Sequence, residues 1–346
     1  MSVQVAKFPE YRTAIVDHLV KIKLRHWDPN LRFLSADALA KLTPLCPKHM
    51  RDVVLPFLCP LTLDSEVPVR SVRARSARIS IILLFHVAIT SLKSQEYHLH
   101  RLLISHENHS KINARTQVRH GATLAVSKLI VALSQEKDVT LSTDMQKTVR
   151  NMVMKIEKKR LYRGKGGTTM REAVCSLIRG IAVSKMELSL RAQERLLQTL
   201  HENLQQVREE TREEAARAMD VFAKQYWTLK NAEIARKVIE PLLTSLRADV
   251  CSSRSGAALG LGVLPSELVC CDSDLGLRLV KDLVRATKPF EKVDFRSAEA
   301  RRDAVRALSG ICKSGVITTT VSSSTLNVAD PDEIEEFSFS TKNFTL

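Results

Sequence analysis

Arg160-Leu-Tyr-Arg-Gly-Lys-Gly-Gly-Thr-Thr-Met-Arg-Glu-Ala-Val-Cys-Ser-Leu-Ile-Arg-Gly-Ile-Ala-Val-Ser-Lys-Met186 is the stretch from which the fold of this chain can be read. A basic, glycine-containing turn runs into a segment whose apolar side chains fall at Met170, Val174, Leu177, Ile178 and Ile181. That spacing predicts a helix with all five on one face, which must be buried against another element. Arg171 stands beside the first of them. The same device, an arginine leading a helix rich in small and apolar residues, returns along the chain. It is seen at Arg32, Arg119 (Arg-His-Gly-Ala-Thr-Leu-Ala-Val), Arg212 (Arg-Glu-Glu-Ala-Ala-Arg-Ala-Met), Arg254 (Arg-Ser-Gly-Ala-Ala-Leu-Gly-Leu) and Arg301 (Arg-Arg-Asp-Ala-Val-Arg-Ala-Leu).

From Arg119 onward these arginines are 52 (119 to 171), 41 (171 to 212), 42 (212 to 254) and 47 (254 to 301) residues apart. Periods in this range belong to HEAT and armadillo arrays, in which each unit is a helix pair. The expected fold is therefore all-α, a HEAT/armadillo-type α-solenoid of stacked helix pairs. Its outer helices are expected at Arg191 to Leu204 and Ile234 to Leu246, the latter kinked by Pro241. The first pair is expected over Phe8 to Lys23 and Asn30 to Leu42, with Asp28 capping the second helix and Pro29 in its first turn. The interval from Arg32 to Arg119 breaks the rhythm at 87 residues. Either Arg70 starts a further repeat, or about 46 residues are inserted, and the insertion restores the period. The expected organisation is 1–65, first HEAT-like helix pairs; 66–112, an atypical insertion; 113–315, a HEAT-like α-solenoid; and 316–346, a disordered acidic tail containing Asp330-Pro-Asp-Glu-Ile-Glu-Glu336.

The chain has 346 residues, 44% of them hydrophobic but only 5% aromatic, which suits helices built from Leu, Ala, Val and Ile better than a β-domain. Its net charge of +15 favours acidic partners. The basic residues are spread over many helices, so an acidic protein surface is expected ahead of nucleic acid. Seven cysteines in no paired pattern predict free thiols in a reducing compartment, with Cys175 and Cys312 on apolar helix faces. Neither a secretory signal nor a membrane span is expected. Lys7, Glu10 and Arg12 precede any long apolar run, and Ile79 to Ile89 is about half the length of a span.

No arrangement of nucleophile and base spells out catalysis, so no enzyme, no cofactor and no metal are expected. Gly164-Lys-Gly-Gly-Thr-Thr169 lacks the spacing of a phosphate loop and reads as a helix–helix turn. His98, His100, His106 and His109 match no standard zinc motif. The arginines Arg32, Arg119, Arg171, Arg212, Arg254 and Arg301 are expected to be structural, pairing inside the stack. Lys155, Lys158, Lys159, Arg160, Arg163 and Lys165 form the densest basic run, to be read either as a solvated face or as a docking surface for an acidic partner.

Several long words then carry a resemblance. They are Lys7-Phe-Pro-Glu-Tyr-Arg12, Ala14-Ile-Val-Asp-His-Leu-Val20, His26-Trp-Asp28, Arg119-His-Gly121, Leu161-Tyr-Arg-Gly164 with Gly167 and Met170-Arg171, Ala173-Val-Cys175, Ser184-Lys-Met186 and Glu299-Ala-Arg-Arg-Asp303. Collinear over about Val3 to Ser65 and Asn113 to Lys313, they resemble an internal part of the tubulin-specific chaperone D (tubulin folding cofactor D) family. The stretches without a counterpart are the suspected insertion and the tail, and non-coding sequence carried through by a gene model is one reading of both. The resemblance implies a cytoplasmic, microtubule-cytoskeleton-associated HEAT-repeat chaperone. It would bind β-tubulin after chaperonin release, act with tubulin folding cofactors E and C to assemble αβ-tubulin, and promote GTP hydrolysis by tubulin. An Arf-like small GTPase is a further implied partner. The alternatives are a HEAT-repeat adaptor or transport receptor for another acidic protein, and a nucleic-acid-binding helical array.

Overall fold

The computed structural model describes residues 2–63, 96–161, 166–227, 231–288 and 298–313, and over 96–114 the helix alone. Every regular element among the described residues is helical, as the periodicity predicts. The longer helices are α1 (Pro9–Lys21), α2 (Pro29–Leu42), α3 (Leu55–Leu61), α4 (Glu96–Gln135), α5 (Thr143–Arg150), α6 (Met152–Lys158), α7 (Gly167–Val183) and α8 (Leu190–Leu204). They continue with α9 (Glu209–Tyr226), α10 (Ala232–Leu246), α11 (Cys251–Gly262), α12 (Ser273–Thr287) and α13 (Glu299–Lys313). The chain is an all-α protein of stacked helix pairs, in two compact units, Met1–Asn203 and Leu204–Leu346.

In the first unit the break between α1 and α2 is built by local chemistry. Asp28 Oδ1 accepts from the Asn30 N–H at 2.9 Å, and Pro29 takes the first helical position, where no N–H is needed. The long helix α4 packs against both α2 and α7. Small residues make that approach possible. A Cβ on Gly121 would run into the Leu24 carbonyl, and Ser127 Oγ donates to the Ser176 carbonyl at 2.6 Å. On α7, Met170, Val174, Leu177, Ile178 and Ile181 are all 0% exposed, as their spacing predicts, and burial extends beyond that face to Ala173, Cys175, Ser176 and Ala182. Five such side chains contribute on the order of 10 kcal/mol before the entropy of ordering is subtracted.

The second unit is a ladder of two rows. Helix α11 packs against both α9 and α13, while α10 packs against α12, and the pairs α10–α11 and α12–α13 tie the rows together. Asn231 Oδ1 caps α10 by accepting from Glu233 and Ile234, and Asp272 Oδ1 caps α12 by accepting from Leu275. Pro241 lies inside α10, in the outer row. Close packing again rests on missing side chains, since a Cβ on Gly262 would lie 2.6 Å from Ala307 Cα.

Some expectations fall elsewhere. Helix α4 runs continuously across the expected boundary between 112 and 113. Residues 66–95 and the tail 316–346 lie outside the described residues. Cys175 is buried, but Cys312 is exposed. The buried stripe of α13 is Ala300, Asp303, Ala304, Ala307, Leu308 and Ile311, and Cys312 follows its last member, turned about 100° off that face.

Candidate functional site

Three of the six repeat arginines perform one identical task. Arg32, Arg212 and Arg254 each stand fourth in their helix. From that position a side chain leans back toward the helix N-terminus and reaches the preceding turn. Arg32 Nη1 donates to the carbonyls of His26 (2.6 Å) and Trp27 (2.9 Å). Arg212 Nη1 donates to those of Gln206 (2.8 Å) and Val207 (2.6 Å), and Arg254 Nη1 to Ala248 (2.9 Å) and Asp249 (2.8 Å). All three are buried, and Arg212 also pairs with Glu299. The cation thus satisfies carbonyls of the turn between two helices, from the start of the second.

The other three, Arg119, Arg171 and Arg301, are half-buried. Arg119 lies within α4 with no turn before it, and its Nη2 donates to Thr116 Oγ1 at 3.0 Å. Arg171 stands one place later in its helix and donates to Asn203 Oδ1 at 3.0 Å. On α13 the fourth position belongs to Arg302, whose Nη2 lies 2.7 Å from Glu209 Oε1.

Of the basic run, Lys155, Lys158, Lys159 and Arg160 are exposed, while Arg163 and Lys165 lie outside the described residues. Lys159 Nζ donates to the Leu63 carbonyl at 2.8 Å. Arg160 ends α6 in the left-handed region (φ 53°), closing a turn in which its N–H donates to Glu157 and that of Leu161 to Ile156. Glycine is the usual occupant of such a position. The described part of the Gly164–Thr169 stretch serves α7 itself: Gly166 precedes the helix at φ 80°, and Thr169 Oγ1 donates to its carbonyl at 2.8 Å.

Beside this run is a groove of about 440 Å³, lined by Asn151, Met154, Lys155 and Lys158 from the α6 side and by Ser189, Arg191, Ala192 and Arg195 from the α8 side. Its edges are tied together. Thr199 Oγ1 donates to Glu157 Oε1, and Arg195 Nη1 lies 3.8 Å from Met154 Sδ. Burial pushes the Glu157 carboxyl above its usual range, against the hydrogen bond from Thr199. Reading the sequence missed Arg191 and Arg195. Their signal was available in the i, i+4 spacing on an outer helix, but that α8 lies against α6 is a tertiary fact.

Elsewhere, burial shifts two histidines. His120 is buried, its Nδ1 accepts from Arg32 Nε at 2.9 Å, and burial with the neighbouring cation lowers its pKa to about 3. His201 is lowered to about 4 by burial. No group of three metal-ligating side chains occurs among the described residues, and the side chains of His98, His100, His106 and His109 lie outside them. No described helix is long and apolar enough to cross a membrane.

No protein-family model matches the chain. A tubulin-specific chaperone D from Dictyostelium discoideum is 23% identical over 186 residues, which make up 53% of this chain and 9% of that protein. The match thus takes in a small part of a far longer relative. Among solved structures, two engineered proteins from the Northeast Structural Genomics Consortium align with TM-scores of 0.37 and 0.27. The first is 16% identical over 86% of this chain and 97% of its own, the second 17% identical over 96% and 90%.

Proposed function

We propose that this chain acts as a tubulin folding cofactor of the cofactor D kind. The observation that carries this reading is the alignment with the Dictyostelium discoideum tubulin-specific chaperone D. The stacked helix pairs and the net charge of +15 support it, because such a stack offers a large face and tubulin is acidic. In this reading the chain binds β-tubulin in the cytoplasm after chaperonin release. It acts with cofactors E and C in assembling the αβ heterodimer, and it also binds an Arf-like small GTPase. It contributes surface and no catalytic residue, so the GTP hydrolysis it promotes uses tubulin's own nucleotide site. Lys155, Lys158, Lys159, Arg160, Arg163 and Lys165 are the proposed docking run, and the repeat arginines Arg32, Arg171, Arg212 and Arg254 join neighbouring segments.

The test is co-purification of the full chain, and of a version lacking residues 66–111, with purified β-tubulin and with αβ-tubulin. Retention of β-tubulin by either version supports the reading. Helical, folded protein that retains neither form overturns it and leaves an adaptor for another acidic protein as the better account.

A further inference from the structure

We propose that the groove between α6 and α8 is a docking track for an extended acidic segment of a protein partner. The inference deepens the docking role given above to Lys155 and Lys158, rests on that role for those two residues, and adds Arg191 and Arg195. Two rows of cations face the groove. Lys155 and Lys158 are three apart on α6, and Arg191 and Arg195 are four apart on α8, so each row sets its Cβ atoms about 5–6 Å apart. An extended chain places every second side chain on the same side, about 6.6–6.8 Å apart, and alternates sides in between. A run of Glu and Asp can therefore address both rows at once.

The four cations are engaged only weakly: Arg195 touches Met154 Sδ and its charge acts on Glu157 without closing an ion pair. None of them has an ion pair among the described residues, and the nearby carboxylate of Glu157 is engaged by Thr199. Many other surface cations are paired: Lys21 with Asp17, Arg217 with Glu213 and Glu214, Lys224 with Asp220, and Arg236 with Asp272. Four like charges beside a single nearby carboxylate leave an excess of positive charge that an anionic partner relieves.

The lining favours a polypeptide over nucleic acid. Among the described residues no aromatic side chain lines the groove, so bases have no stacking platform. Guanidinium groups suit carboxylates, which they bind through two parallel hydrogen bonds. Met154 and Ala192 add apolar surface for the methylenes of a Glu side chain.

The experiment uses the full chain and a dye-labelled peptide of about eight glutamates, long enough to span both rows, read by fluorescence anisotropy. Two variants are compared with wild type: R191Q/R195Q, and that pair combined with K155Q/K158Q. Circular dichroism establishes that both keep their helices. Binding that weakens by about tenfold or more in the fourfold variant, with the double variant between, supports the track. Binding within about twofold of wild type in both variants overturns it. An oligothymidylate of matched charge that binds the groove more tightly than the peptide overturns it in favour of nucleic acid. β-Tubulin co-purification, run beside it on wild type and variants, separates the two proposals. Peptide binding that needs the groove, with no β-tubulin retained, keeps the track and sinks the tubulin reading. β-Tubulin retained equally by wild type and variants, with peptide binding unchanged, does the reverse.

Discussion

Arg212 and Arg191 both stand near the start of a helix, and they live in opposite environments. Arg212 is 1% exposed, and its guanidinium meets two turn carbonyls and Glu299. Arg191 is exposed at the rim of a groove, and no ion pair engages it among the described residues. The difference comes from position. Fourth in the helix, a side chain leans back onto the turn that the preceding helix has just left, where carbonyls need donors. Second in the helix, Arg191 lines the groove together with Lys155, Lys158 and Arg195. The first kind of arginine holds repeat to repeat. The second kind is left for a partner.

The comparison breaks first on stability. Replacing Arg212 by Met strands the Gln206 and Val207 carbonyls and the Glu299 carboxylate, and is expected to cost about 3–5 kcal/mol in urea unfolding of the full chain. Arg191→Met should stay within about 0.5 kcal/mol of wild type. Equal losses at the two positions would erase the distinction between inner and outer arginines.

A second effect tests the close approach of α4 to the backbone at Leu24. Gly121→Ala puts a methyl group into the Leu24 carbonyl and is expected to cost about 2–3 kcal/mol by the same measurement. A neutral result would mean that α4 can shift away from that backbone freely.

The third concerns protons. His120 is neutral when folded, and its folded pKa of about 3 lies below the ordinary value near 6.5. The unfolded chain therefore binds the extra proton first. The stabilisation is complete above about pH 6.5 and is lost as pH falls toward 3. Between pH 7 and 5 wild type should lose about 2 kcal/mol more than His120→Gln, which keeps a polar group beside Arg32 but has no titrating ring. Parallel pH profiles for the two proteins would remove His120 from the account.

The smallest effect bears on the groove side. Arg160 holds a left-handed conformation that glycine adopts without strain, so Arg160→Gly is expected to stabilise by about 0.5–1 kcal/mol. The same substitution should weaken docking if the basic run is the contact surface, measured as β-tubulin retained on the full chain. A gain in stability with retention unchanged would remove Arg160 from the docking run.

How much of this was legible in the residues can be judged element by element. Asp28 and Pro29 announce the start of α2, and Met170 through Ile181 announce the buried face of α7, because capping and the 3.6-residue period are local rules. The recurring arginines announce the repeat. Yet an arginine alone does not fix the register of its helix, and on α13 the spacing points to Arg301 where Arg302 holds the fourth position. Cys312 falls off the expected face for a similar reason, one residue past the edge of a stripe.

The sequence by itself determined the all-α class, the helix pairs, the inner faces and the basic character of the surface. These follow from periodicity, composition and caps, which act within a few residues along the chain. Only the tertiary structure decided which arginines are consumed by turn carbonyls, that His120 meets Arg32 across 88 residues, and that Arg191 and Arg195 face Lys155 and Lys158. Those facts depend on which helices lie side by side. That choice is made by packing between segments far apart in sequence, and no short-range pattern records it.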